Sequence, residues 1–385
     1  MASHAGQKDQ SKQPEVDPDY RHLVELCGEG MLYEAEAWLE AGHSAEQPES
    51  CRHCPLLLAT KLGFHSLVRM LLRYDCSPGQ KQRALQWAAS EADFAIAKLL
   101  VEAGANAGDL SPDYFPSVYH RDLIQYLVDH GLDLSKEDAL ASLFVEGRAK
   151  PLLGLYLQNK NRFPAWEDQA SLALCEFVRK EDLKWISLMI WAGADPLKKV
   201  HEFCECSVDC EEDLRRSAVE IAVSSRNPRV FASLKVQPDP SLATTLLHEI
   251  YVIPPVETLT ILLAFGADLN HYLPEDGTVL HRILRSFGFD GYFPHLRERA
   301  RESVETIAFL IREGAKWRPP STAKSIADLR RSLYHQDSEA VVEVIRLMQA
   351  GNACPLEQLV ELARTPKMKG WIEKHDPRLA VALGF

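Results

Sequence analysis

The sequence predicts an all-α protein in which about ten helix-turn-helix units stack side by side. Two observations support this prediction. A short phrase recurs along the chain, in which two aliphatic and two polar residues precede a glycine. A further apolar pair stands three and four residues before each aliphatic pair, as Leu123-Ile124 stands before Leu127-Val128. Because residues four apart share one face of a helix, each copy predicts an amphipathic helix that the glycine ends.

The copies of this phrase cover most of the chain. Clear copies end at Gly42, Gly104, Gly131, Gly193, Gly266, Gly314 and Gly351. Degenerate copies fall near residues 75, 160 and 237, and most steps between copies are 27 to 37 residues, while two reach 44 and 48. A unit of this length cannot bury its apolar face alone, so neighbouring units must stack into one continuous core.

The repeat resembles that of the ankyrin-repeat family. Residues 63–72 (Gly-Phe-His-Ser-Leu-Val-Arg-Met-Leu-Leu) are similar to that family's second-helix pattern, and residues 54–59 (Cys-Pro-Leu-Leu-Leu-Ala) keep part of its first-helix opening, Thr-Pro-Leu-His-x-Ala. The resemblance covers roughly residues 20–355. It implies an ankyrin-like solenoid that binds another protein on its concave surface and hairpin tips. It also implies that His248 and His281, at the motif histidine, hydrogen-bond to backbone between repeats.

Composition and the chain ends complete the predicted organisation. The hydrophobic share is 46% and the charged share 25%, which are values of a folded globular chain. Polar residues 1–19 predict a disordered tail, residues 20–355 the repeat array, and residues 356–385 a pair of capping helices. Insertions near 197–216 and 286–301 interrupt the array.

Charge and cysteine content indicate the kind of partner and compartment. With 43 Lys and Arg against 55 Asp and Glu, the formal net charge is −12. This disfavours nucleic-acid binding, which depends on neutralising phosphates, and favours a protein partner with basic elements. The longest charge-free apolar stretches have ten residues, whereas a membrane-spanning helix needs about 20. The nine cysteines and the polar N-terminus, which does not have the form of a secretory signal, predict reduced thiols and a cytoplasmic protein.

The first insertion carries a candidate metal site. His201, Cys204, Cys206 and Cys210 could together provide a tetrahedral Cys₃His zinc site. The tight Cys-x-Cys spacing and the crowded acidic residues of the loop favour instead a cluster of reduced thiols. A metal- or redox-responsive regulatory protein that uses this loop is therefore the alternative to a simple binding module.

The second insertion combines aromatic and basic residues. Its residues are Phe287, Phe289, Tyr292 and Phe293, followed by Arg297, Arg299 and Arg301. Aromatic residues and arginine are enriched at protein-interface hot spots, so the segment is a candidate contact surface. The alternative is that the aromatic rings pack onto the repeats and the arginines stand on a solvated helix face.

Two tryptophans are further contact candidates. Trp87 occupies the variable place of a first-helix motif, which often faces the binding groove in the ankyrin-repeat family; it either contacts a partner or shields a repeat interface. Trp166 stands just before a first helix, where a hairpin tip could expose it.

No sequence pattern predicts catalysis. The chain has no Gly-x-Ser-x-Gly nucleophile elbow, no phosphate-binding Gly-x-x-x-x-Gly-Lys loop and no His-Glu-x-x-His zinc motif. The sequence therefore predicts a non-catalytic protein-protein interaction module, a scaffold or adaptor, with no catalytic residues.

Overall fold

The computed structural model describes residues 18–46, 54–111, 120–147, 150–201, 215–250, 252–290, 299–320 and 338–385. Within these ranges the chain forms 21 α-helices and no strand beyond two isolated β-bridges. The chain divides into two compact units, residues 1–169 and 170–385. Most of the predicted tail, residues 1–17, lies outside the described residues.

The first unit is a series of helical hairpins. Its helices are α1 (Pro18–Glu29), α2 (Leu32–Glu40), α3 (Pro55–Lys61), α4 (His65–Leu71), α5 (Pro78–Ser90), α6 (Phe94–Glu102), α7 (Arg121–Asp129), α8 (Ala139–Gly147) and α9 (Lys150–Asn159). The first helices α1, α3 and α5 pack against one another in order, and so do the second helices α2, α4, α6, α7 and α9. First helices thus stack on first helices and second helices on second helices, as a repeat with one apolar face per unit requires.

The second unit continues with the same construction. Its helices are α10 (Trp166–Arg179, which begins in the first unit), α11 (Leu183–Ala192), α12 (Ala218–Ala222), α13 (Pro228–Ser233), α14 (Pro240–His248), α15 (Val256–Ala264), α16 (Val279–Asp290), α17 (Arg299–Arg312), α18 (Ser338–Ala350), α19 (Leu356–Ala363), α20 (Pro366–His375) and α21 (Pro377–Leu383). The second helices α11, α13, α15, α17 and α18 pack in sequence.

The glycine of the recurring phrase ends the second helix by its backbone conformation. Six of the seven glycines have φ between 85° and 109°, in the left-handed region that glycine adopts without a steric penalty. Gly351 is the exception, because Asn352 (φ 46°) takes the left-handed position there. The predicted helix stop is therefore correct, and its last copy uses a different residue.

Four of the hairpin tips share one local interaction, and in three of them a first-helix side chain adds a second. An Asx turn shapes the tip itself: Asn106, Asp133, Asp195 and Asp268 each accept a hydrogen bond from the backbone N–H two residues on, at 2.8 to 3.0 Å. A side chain of a neighbouring first helix then binds the tip. Thr244, for example, accepts a hydrogen bond from the Asp268 N–H at 2.9 Å. The tips are thus fixed relative to the helices behind them.

The two insertions begin from different parts of the repeat. The first insertion starts and ends at a hairpin tip. There, Val200 and Arg216 form an antiparallel β-bridge with N–H to O distances of 3.1 and 3.0 Å. The second lengthens both helices of one hairpin: α16 and α17 have 12 and 14 residues, whereas α14 and α15 have nine each.

The C-terminal segment contains three helices rather than a pair. α19, α20 and α21 follow α18, and α18 packs against both α19 and α20. That these helices cap the array is still a prediction.

Candidate protein-binding surface

Trp87 lies on the first-helix side of the first unit, on α5. The start of α5 is fixed by a capping box, in which Ser77 Oγ accepts from the Gln80 N–H and the Gln80 side chain accepts from the Ser77 N–H. The Nζ of Lys61, in the last turn of the neighbouring helix α3, lies 4.4 Å from the centroid of the Trp87 ring. Arg83 is exposed one turn earlier on α5. We call Lys61, Arg83 and Trp87 the first-helix patch.

The Trp87 ring is half-buried and anchored. Its indole N–H is buried and has no hydrogen-bond partner within the described part of the chain. Lys61 covers one face of the ring as a cation–π partner. The ring thus packs within the repeat stack and remains partly open to solvent, so both interpretations of Trp87, shielding and contact, stay predictions.

Trp166 is not exposed, so the expectation of an exposed tip residue is wrong. It is the first residue of α10 and is fully buried. Its ring stacks on Phe163 with 5.0 Å between centroids and an interplanar angle of 20°. Burial of so large an apolar ring stabilises the fold more than exposure at a tip would, which is why the ring turns inwards.

Most of the second-insertion candidates cannot be placed. Tyr292, Phe293 and Arg297 lie outside the described residues. Phe289 belongs to α16, and Arg299 and Arg301 to α17, but only the backbone of these three is described. Phe287, their aromatic neighbour, is fully buried, as packing of that ring onto the repeats requires.

Of the four candidate metal ligands, only His201 lies within the described residues. His201 is exposed and follows the Val200–Arg216 bridge, whereas Cys204, Cys206 and Cys210 lie outside the described residues. Elsewhere in the described ranges, no group of three or more His, Cys, Asp or Glu residues could hold a metal ion.

Two exposed aromatic residues were missed in the sequence. Tyr33 on α2 is 79% exposed and Trp191 on α11 is 70% exposed. Both belong to second helices. Trp191 stands at one of the two normally polar positions of the recurring phrase, directly after Met189-Ile190. Because these positions face solvent, an apolar residue there was the signal that would have predicted an exposed ring.

The motif histidines are buried and uncharged. His281 accepts a hydrogen bond at Nδ1 from the Trp317 Nε1–H, at 3.1 Å, instead of bonding to backbone as the family resemblance implied. Burial, and next to it the charge of Arg285, lowers the pKa of His281 to about 4. Burial also lowers the pKa of His248, whose ring lies edge-on to His271. His281 therefore links α16 to Trp317, and both histidines are poor candidates for acid–base chemistry at neutral pH.

The described cysteines are also poor candidates for chemistry. Cys27, Cys54, Cys76, Cys175 and Cys354 are free and buried. Burial raises the pKa of each thiol, to about 12 for Cys27, Cys175 and Cys354. Since the thiolate is the nucleophile and the metal ligand, these five groups are unreactive at neutral pH.

The repeating unit identifies the fold. Each complete unit is a helical hairpin that ends, in most copies, at a left-handed glycine, and several units continue into a tip that is hydrogen-bonded to a first helix. The described residues form an array of stacked helical hairpins that resemble ankyrin repeats. This confirms the predicted all-α fold class.

Comparisons with known proteins add little to this. No protein-family model matches the chain, and no curated protein matches it. Among solved structures the chain is similar to the human ASB11 ankyrin repeat domain, with 13% identity over 67% of this chain and 89% of that chain and a TM-score of 0.27. In the described ranges, no helix is long and apolar enough to cross a membrane.

Proposed function

We propose that this ankyrin-like array is a non-catalytic protein-protein interaction module, a scaffold or adaptor that binds a partner on its first-helix surface and hairpin tips. The observation that supports this most directly is the first-helix patch. Tryptophan and arginine are the residue types most enriched at interface hot spots, and Trp87 is already held rigid under Lys61. A rigid anchor loses little side-chain entropy when a partner binds.

The charge of the chain suggests what the partner carries. The net charge of −12 favours a partner with basic elements over most of the surface. Lys61 and Arg83 make the first-helix patch a local exception, so we expect an acidic or polar group of the partner to lie against it. A cytoplasmic location is part of this proposal, and the free, buried thiols of the described cysteines support it.

The second insertion is the further contact surface of this proposal. Its residues are Phe289, Tyr292, Phe293, Arg297, Arg299 and Arg301. The length of α16 and α17, 12 and 14 residues against nine each for α14 and α15 of the preceding hairpin, supports this role.

The test is affinity capture of partners from the native cell with the tagged full-length chain. We expect Trp87→Ala, and separately the double variant Lys61→Ala/Arg83→Ala, to lose the main partner. Trp191→Ala is the matched control, because it removes an exposed tryptophan from a second helix. Thermal unfolding of each variant shows whether it is folded. If both patch variants keep every partner, the patch assignment is wrong, and if the wild-type chain captures no protein, the module itself is wrong.

The alternative function is a metal- or redox-responsive regulator that uses the loop with His201, Cys204, Cys206 and Cys210. The observation in its favour is the Val200–Arg216 bridge, which holds the two ends of this loop together and places His201 at its base. A closed loop base reduces the entropy that must be lost when ligands converge on a metal.

A further inference from the structure

The turns between the first and second helices of the first two hairpins expose apolar side chains. Met31 directly follows Gly30 and is 42% exposed. Leu62 directly precedes Gly63, the equivalent glycine of the next hairpin, and is 46% exposed. Tyr33, in the first turn of α2, is 79% exposed. Single exposed apolar residues are common on protein surfaces, whereas neighbouring ones mark an interaction site.

These side chains belong to one surface. Because α1 packs against α3 and α2 against α4, the two turns are neighbours. The Phe64 ring, directly before α4, lies over Gly30 of the first turn, where an added Cβ would be 3.1 Å from its Cε2 and Cζ. At the next turn the apolar surface ends, since Asp93 stands there and its Oδ1 lies 3.2 Å from the His65 Nε2. We call Met31, Tyr33, Leu62 and Phe64 the turn patch.

The turn patch takes the place of side chains that would stabilise the helices. The second helices α6, α11 and α13 begin after Asp93, Asp182 and Asn227, whose side chains each accept a hydrogen bond from a first-turn N–H. α2 and α4 begin after Met31 and Phe64, which form no such bond. The backbone of Met31 (φ −75°, ψ 77°) is close to that of Asp182 (φ −80°, ψ 83°), so a capping side chain would fit there. Apolar residues at these two positions therefore cost helix stability, which indicates that they have another role.

Unpaired carboxylates border the turn patch. Glu25 and Glu29 are exposed and four residues apart at the end of α1, and Glu34 is exposed in the first turn of α2. Among the described residues none of the three forms an ion pair. Glu25 and Glu29 repel each other and the negative end of the helix dipole, and α1 has no basic residue in its last turn to offset this. The surface thus presents apolar side chains beside uncompensated negative charge.

We propose that the turn patch binds a segment of a partner protein that carries apolar side chains next to lysine or arginine. The apolar side chains pack on Met31, Tyr33 and Leu62, and the basic residues pair with Glu25 and Glu29. A second copy of this chain is disfavoured, because a symmetric dimer through this surface would place the carboxylates of both copies against each other. The surface lies at turns between helices, so the proposal goes beyond the first-helix patch and the hairpin tips.

The experiment measures fluorescence polarisation of a fluorescein-labelled peptide, four repeats of Leu-Lys-Lys-Leu, with the full-length chain. The ligand controls replace every lysine by glutamate or every leucine by serine. The apolar variants are Met31→Asn/Leu62→Gln and, separately, Tyr33→Gln. Their matched control is Leu356→Gln/Val381→Gln, at exposed apolar positions of α19 and α21.

The acidic variant is Glu25→Gln/Glu29→Gln. Its matched control is Glu357→Gln/Glu361→Gln, which also removes two exposed glutamates four residues apart on one helix. Thermal unfolding shows whether each variant is folded, and Met31→Asn should not lower the melting temperature, because asparagine can cap α2. Sedimentation of the chain alone shows whether it self-associates.

We expect the leucine–lysine peptide to bind and both control peptides to bind more weakly. Met31→Asn/Leu62→Gln weakens binding about tenfold and Tyr33→Gln about threefold. Glu25→Gln/Glu29→Gln weakens it about threefold, and both control variants change it less than twofold.

The proposal is overturned if the peptide does not bind, or if the patch variants weaken binding no more than their matched controls, since the attraction is then spread over the acidic chain. It is also overturned if the chain self-associates and Met31→Asn/Leu62→Gln makes it monomeric, because a second copy is then the occupant. Partner capture that still depends on Trp87 would in each case leave the proposed module standing.

Discussion

Replacing Gly351 by alanine tests why the last copy of the recurring phrase keeps its glycine. The backbone of Gly351 is not left-handed, so conformation alone does not require glycine there. A Cβ at this position would lie 2.2 Å from the Ile311 Cγ2 on α17, which is far inside van der Waals contact. Ile311 is buried and cannot move freely. The glycine is therefore required by the close approach of two neighbouring second helices.

The free energy change follows from this contact. Overpacking of one methyl group against a buried side chain destabilises a protein by about 1–3 kcal/mol, so we expect Gly351→Ala to lower the free energy of unfolding by about 2 kcal/mol. Ile311→Ala removes the clashing atom and leaves the Leu347 carbonyl oxygen at 3.3 Å and the Cβ of residue 311 at 3.7 Å from the added Cβ. In that background, Gly351→Ala should have an effect of less than about 0.5 kcal/mol, which is a coupling of about 1.5 kcal/mol between the two sites.

The assay is urea unfolding of the full-length chain, read by circular dichroism, for both single variants and the double variant. Because repeat arrays can unfold in stages, hydrogen exchange of the amides in α17 and α18 gives a local readout as well. Gly104→Ala is the control. Its φ is 95° and no atom lies within 4 Å of the added Cβ, so it should destabilise by about 1–2 kcal/mol without coupling to Ile311. A neutral Gly351→Ala, or equal coupling of both glycine variants to Ile311→Ala, would refute the reasoning.

Three further predictions concern protonation and metal. The folded state holds His281 uncharged with a pKa of about 4, so its contribution to stability is complete above pH 6.5 and is lost as the pH falls towards 4. His281→Gln should remove on the order of 3 kcal/mol of this pH dependence, measured by urea unfolding from pH 7 to 4.5. Asp376 caps α21 by accepting a hydrogen bond from the Leu379 N–H and pairs with Arg346, and both interactions lower the pKa of Asp376. Asp376→Asn should therefore destabilise the chain at pH 7. The difference in melting temperature between the variant and the wild type should shrink as the pH falls below 4. If the loop 201–210 holds zinc, protein purified without chelator contains one equivalent by elemental analysis and loses it, with some thermal stability, after chelator treatment; absence of both effects contradicts the metal site.

The periodic part of the structure was predictable because its causes are local. An aliphatic pair, a second apolar pair one turn earlier and a glycine together specify one helix and its end, and six of the seven glycines adopt the left-handed conformation that this pattern requires. Gly351 shows where local reasoning fails. Its reason is a contact with Ile311, 40 positions away, and no spacing within the phrase indicates it.

The candidate sites depend on contacts that the repeat pattern does not contain. Trp87, within a first-helix motif, and Trp166, just before a first helix, were both contact candidates in the sequence, yet one is half-buried beside Lys61 and the other is fully buried against Phe163. A cleft of the second unit, between Arg226 and Thr306, is lined by residues that lie up to 80 positions apart in the sequence. In a repeat protein the stacking residues recur because every unit faces the same neighbour, whereas binding residues do not recur because a partner meets each unit differently. Interruptions of the pattern are therefore where experiments on this chain should begin.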